Sequence, residues 1–208
     1  MSYNQIMTKL FFDTETLPAG EEKKEILKEI HQKRTKDGKE TKTFEEYLEG
    51  TGLDGAFGRI ACIGYAFNDE PPKTFSGEES EILKSFWEIA QKADLFIGFN
   101  ILDFDLRFIY QRSVILKIKP SIFLPFSRYR DKPIYDVMWE WCKWGTQGKI
   151  SLDKLAKALD LPTSKGGDVE GKNVAKAFGE GRIREICKYC EKDVELTRRI
   201  YKRMNFEE

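Results

Sequence analysis

Five residues in this chain have types and spacing that could do chemistry together. Asp13 and Glu15 close the run KLFFDTET, residues 9–16. That run reads as a buried strand, apolar through Leu10, Phe11 and Phe12. On a strand, residues i and i+2 share a face, so the two carboxylates project together where the strand leaves the sheet. Two ionised carboxylates side by side repel, so a fold that holds them there needs cations. Hard oxygen ligands at this spacing suit Mg²⁺ or Mn²⁺. The pair alone is equally compatible with two acids facing water in a turn. A third acid, Asp105, lies in GFNILDFDL (residues 98–106), where a strand ends, Asn100 turns and a helix opens. An Asp in a first helical turn is favoured by the helix dipole and needs no function. Asp103 competes for any ligand role, with capping as its expected task. In YCEKD, Tyr189 and Asp193 are four apart and share one helix face with Leu196 and Ile200. An aspartate on an apolar stripe needs a partner, and a metal shared with Asp13 would serve.

Composition narrows the classes. The chain has 208 residues, 40% hydrophobic and 34% charged, which suits one domain with a sizeable core. Lys+Arg and Asp+Glu balance at 35 each, so any basic surface must be local. No apolar run approaches the roughly 20 residues of a membrane span. The start, MSYNQIMTK, lacks the apolar region of a signal peptide. Four cysteines in a chain this size are expected to be reduced thiols in the cytoplasm. The single histidine, His31, excludes a multi-histidine zinc site and is read as solvated.

The elements that must position the acids follow in order. Pro18 ends the first strand. Residues 19–53 are densely charged and read as an insertion with helices near Glu21–Arg34 and Thr43–Leu48, broken at Gly38. Its basic centre, Lys33 to Lys42, fits either a solvated surface or a flap over the acids. Arg59–Phe67 is apolar on both faces and reads as a central strand. Lys73–Phe75 is a short strand. Ser76 with Glu79 resembles a capping box, and Ile82, Leu83, Phe86, Trp87 and Ala90 form a helical stripe. Leu95–Phe99 and Lys132–Val137 are further strands. Ser151 opens a helix, and a last helix spans about Arg182 to Arg203. This order predicts an α/β fold, a mixed sheet flanked by helices.

Taken together, FDTET, NILDFD and YCEKD resemble the three exonuclease motifs of the DEDD superfamily, on the ribonuclease H-like fold. The tyrosine four residues before the last acid resembles the tyrosine-bearing branch. The chain is most similar to the 3′→5′ proofreading exonuclease domain of family B DNA polymerases, in a stand-alone form. The resemblance runs from Lys9 to the C-terminus, apart from the insertion, and no polymerase domain is expected to follow. It implies one exonuclease domain over residues 1–208. It implies Asp13, Glu15, Asp105 and Asp193 as ligands of two divalent metal ions, Mg²⁺ or Mn²⁺. Tyr189 would orient the attacking water. With a reference pKa of about 10, a tyrosine is a better orienter than base at neutral pH. Two metals about 3.5–4 Å apart can clamp one phosphodiester.

The expected activity is hydrolysis at 3′ ends of single-stranded nucleic acid, DNA before RNA. A catalytically idle nucleic-acid-binding module is the alternative. A protein partner such as a polymerase or repair factor is left open. Thr16, Phe99, Asn100, Phe104 and Lys165 are the expected substrate contacts; for Lys165, in SKGG, a plain turn serves as well. Asp136 is read as structural. Trp139, Trp141 and Trp144 with Lys143 and Lys149 fit a base-stacking cluster or the core. Cys187 and Cys190 form CxxC on a helix without a second pair, which argues against zinc.

Overall fold

The computed structural model describes residues 7–163 and 165–207. Residues 1–6 of the start read for a leader, and Ser164 of SKGG, lie outside them. Five strands form one mixed sheet: β1 (Lys9–Leu17), β2 (Arg59–Phe67), β3 (Lys73–Ser76), β4 (Leu95–Gly98) and β5 (Ile134–Asp136). The order is β3-β2-β1-β4-β5. β2 runs antiparallel to β1 and β3, while β4 and β5 run parallel to β1 and to each other. β1 therefore lies central, buried on both faces, as its run of apolar residues requires.

Alternation along β1 divides the core. Leu10 and Phe12 face α3 (Glu79–Ala90) and α4 (Asp105–Ile115), with Phe12 5.4 Å from Phe86 between ring centres. Phe11 faces α8 (Ile183–Met204) and meets Tyr201 edge-on at 5.4 Å. α6 (Leu152–Ala158) packs on the same side, opened by Ser151, which accepts from the Lys154 N–H. Two short helices were not expected: α5 (Val137–Trp141), straight out of β5, and α7 (Val174–Gly179). Each is too short for a periodic signal to stand out.

The insertion folds as α1 (Lys24–Lys36) and α2 (Phe44–Gly50), entered through a single 3-10 turn at Glu21–Lys23. Gly38, at φ +67°, breaks the chain after α1. Thr43 and Glu46 form a capping box on α2. Leu27 alone of α1 is buried, and the basic centre from Lys33 to Lys42 is exposed. His31 corrects its reading as solvated. It packs between Phe44 and Tyr47, 5.7 and 5.2 Å away, and its Nε2 meets the Lys42 carbonyl at 2.9 Å. The ring pins α1 to α2.

Glu79 corrects the proposed capping box with Ser76. α3 has Glu78 at its N-cap and no side-chain cap. Glu79 instead accepts the Ile60 N–H at 2.8 Å and holds Arg112 bidentately, at 2.8 and 2.9 Å. Both side chains are nearly enclosed, 12% and 7% exposed. One acid thus joins β2, α3 and α4. Glu79→Ala leaves the Arg112 charge enclosed without its partner and should cost about 3–5 kcal/mol of stability, read by urea unfolding. A loss under about 1 kcal/mol would show the junction to be dispensable.

Candidate active site

The side-chain parity of β1 places Asp13 and Glu15 on the face that carries Phe11 and Leu17, toward α8. Opposite Asp13 in register stands Gly64 on β2. A Cβ at Gly64 would lie 2.8 Å from Cys190 Sγ and 3.1 Å from Val194 Cγ2. Only glycine lets α8 rest this close to β2. That approach brings Tyr189, Cys190 and Asp193 onto the acids of β1. Cys190 Sγ accepts from the Gly64 N–H at 3.2 Å and lies 3.4 Å from both Asp13 Oδ2 and the Asp13 carbonyl. Ligand atoms of Asp13, Glu15 and Cys190 all lie within 4.8 Å of one another.

Asp105 approaches β1 from the start of α4, close enough for its charge to act on Asp13 and Glu15. Its Oδ1 accepts the Thr14 N–H at 2.9 Å and the Thr14 hydroxyl at 2.6 Å. Asp136 sets the loop that carries it. Asp136 accepts four backbone N–H groups: Asn100 at 3.0 Å, Leu102 at 2.9 Å, Met138 at 3.1 Å and Trp139 at 3.2 Å. It caps α5 and ties residues 100–102 to β5, while Asn100 turns at φ +63°. That is a structural task, as its place at a strand end suggested.

Glu15, Asp105 and Asp193 are buried, Asp13 is half-buried, and the four acids crowd one another. Glu15, Asp105 and Asp193 are 8%, 3% and 7% exposed. Burial raises the Asp13 carboxyl well above the usual range, and the charges of Asp105, Asp193 and Glu15 add to it. Burial, then Asp193 and Asp105, raise Glu15 likewise. Burial lifts Asp105 to about 7 against the Thr14 hydrogen bonds. The strongest charged neighbours of Asp13 and Glu15 are thus other acids. Closely gathered carboxylates of this kind fit hard divalent cations. Burial also raises the Cys190 thiol, which keeps its proton and acts as a donor to Asp13 rather than as a thiolate ligand. Tyr189 is raised by burial and by Asp193 and Glu15, and interacts with the Asp193 side chain. It stays a neutral phenol.

The remaining expected residues are distributed as follows. The Thr16 hydroxyl donates to the Gly52 carbonyl at 2.7 Å and ties β1 to the end of the insertion. Phe99 packs between the two main apolar clusters. Phe104 packs on Phe108 and lines a small recess with Leu53 and Gly55. Lys165 is exposed before α7, in the loop whose residues Gly167–Val169 border Tyr189. Asp103 corrects its reading as a cap, because α4 has none. It accepts from Arg128 at 3.2 Å and from the Trp139 indole N–H at 3.2 Å, with Lys149 at 3.5 Å. Trp139 is core and stacks on Trp144, while Trp141 is largely exposed. Cys187 and Cys190 do not act as a pair; both lie against Cys62 of β2. Cys190, with its contact to Asp13, is the residue that spacing alone did not single out.

A mixed sheet flanked by helices, with acids leaving its central strand, is the ribonuclease H-like arrangement of a polymerase exonuclease region. The chain belongs to the family described as "Predicted 3'-5' exonuclease related to the exonuclease domain of PolB", whose model matches residues 67–208. Asp105, Tyr189 and Asp193 fall inside that match, and Asp13 and Glu15 before it. Among solved structures, the fold is shared with the family B DNA polymerase of the hyperthermophilic archaeon Pyrobaculum calidifontis. The TM-score is 0.63 at 14% identity over 95% of this chain, which spans 24% of the polymerase chain. No curated protein sequence matches the chain. Among the described residues, no helix is long and apolar enough to cross a membrane.

Raised carboxyls have a consequence for stability. The folded protein binds protons that the unfolded chain would release, so this contribution is complete at low pH and is lost as pH rises through about 7, the value for Asp105. The metal-free protein should therefore gain a few kcal/mol between about pH 8 and pH 5. Asp13→Asn should flatten that profile. Thermal melts in chelator across this range measure it; a parent that loses stability on acidification to pH 5 would contradict the clustering.

Proposed function

We propose that this protein is a metal-dependent 3′→5′ exonuclease acting on single-stranded ends, with DNA its first substrate and RNA its second. The observation that carries this reading is the gathering of Asp13, Glu15, Asp105 and Asp193 from three distant segments into one cluster whose charges act on one another. Divalent cations held by these acids would supply charge to the scissile phosphate and a lowered pKa to the attacking water. The protein's own groups set the geometry. Thr14 holds Asp105 and Cys190 holds Asp13, so these two carboxyl groups meet the site in one orientation. The neutral hydroxyl of Tyr189, beside Asp193, can fix a water but cannot take its proton. The family's relation to a polymerase exonuclease domain supports DNA and the 3′ end.

A 3′- or 5′-labelled oligonucleotide, single-stranded or paired, DNA beside RNA, tests this in Mn²⁺. Stepwise shortening from the 3′ end is expected, and chelator should abolish it. Tyr189→Phe should lower kcat about 10- to 100-fold and leave KM nearly unchanged, because the lost contact is to water. A Phe variant as fast as the parent rejects the role of Tyr189. Binding without product at any metal concentration would leave a nucleic-acid-binding module in place of an enzyme.

A further inference from the structure

After α4 the chain runs through residues 116–133 without helix or strand. Irregular segments this long are uncommon in compact domains and usually serve binding. This one is anchored. Leu124 is buried in the core, Ser121 donates to the Trp87 carbonyl at 2.5 Å, and Arg128 reaches Asp103. Between this strap and α4 lies a groove of about 720 Å³, lined by Leu102, Asp103, Arg107, Tyr110, Lys119 and Phe123 among others. That is within the range of about 300–1,000 Å³ typical of ligand sites.

Three features select the occupant. Large rings of the lining stand exposed: Phe123 is 90% exposed, with Tyr110 and Phe126 near half. Cations outnumber acids here in a chain of zero net charge: Arg107, Lys119 and Arg128 line the groove with one acid, Asp103, and the strap adds Lys117, Arg130 and Lys132 against Asp131. Finally, the groove wall is the loop that carries the site, since Leu102 and Asp103 immediately precede Phe104 and Asp105. Ring faces and cations side by side match unpaired bases and their phosphates; paired bases expose no faces to stack.

We propose that the groove between α4 and the 116–133 strap binds the upstream nucleotides of a single strand whose 3′ end lies among the four acids. This rests on the nuclease reading for where the end sits, but binding in the groove can be measured apart from hydrolysis. The probe is a labelled twelve-residue oligothymidylate, followed by anisotropy in chelator. Phe123 is too exposed to support the fold, so Phe123→Ala should melt like the parent and bind about tenfold more weakly. Lys119→Ala should make the slope of log affinity against log salt shallower by about 0.7. Turnover of a thymidine dinucleotide, too short to reach the strap, should be unchanged in both variants.

Parent-like affinity in Phe123→Ala overturns the proposal, as does an acidic peptide that competes for the groove as well as the oligonucleotide does. If the parent binds through the groove yet releases no nucleotide in Mn²⁺, the nuclease reading fails and the groove stands. If nucleotides are released while both variants bind like the parent, the groove fails and the nuclease stands.

Discussion

Mutual repulsion among the carboxylates of Asp13, Glu15, Asp105 and Asp193 is the constraint to which the rest of this fold answers. Asp13, Glu15 and Asp105 are drawn out of water and Asp13 and Glu15 also feel the charges of the other acids, and both changes oppose ionisation. Rigid attachments are what keep such a cluster from flying apart. Asp13 and Glu15 sit on the central strand, the best-supported element of the sheet. Asp105 is tied to the backbone of that strand through Thr14. Asp193 belongs to a 22-residue helix whose apolar face is packed over most of its length. The acids cannot relax outward without unpacking β1, α4 or α8.

Much of this was legible in the sequence because it depends on local periodicity. The period of two fixed the shared face of Asp13 and Glu15, and the helical period put Tyr189 and Asp193 on one stripe. Both follow from covalent geometry and need no partner to be known. The Cys190 contact was not legible, because it depends on which strand lies beneath α8. Gly64 holds that answer, yet inside RIACIGYAF it reads as one small residue in an apolar strand. Glu79 and Asp103 were misread for the same reason. Each has a sequence-local partner that would make a cap, and each is instead taken by a distant cation: Arg112 in one case, Arg128 in the other. A charged partner forms a stronger bond than an exposed backbone N–H, so the tertiary contact wins.

Asp103 links two surfaces of different character. On its one side the chain continues to Asp105 and the enclosed acids. On its other side stand Arg128, Lys149 and the Trp139–Trp144 stack. Negative and positive regions are thus adjacent but separated by one turn of backbone. The insertion has its two helices held together by His31, and it is joined to β1 where the Thr16 hydroxyl meets the Gly52 carbonyl.

The contact between Asp13 and Cys190 spans 177 residues of chain. Loops of that length close late, after the local elements have formed. In order of synthesis, Asp13, Glu15 and Asp105 all precede α8, which carries the fourth acid, Asp193. The cluster is completed only when the last helix docks over Gly64. A chain that lacks α8 therefore cannot assemble the full set of acids.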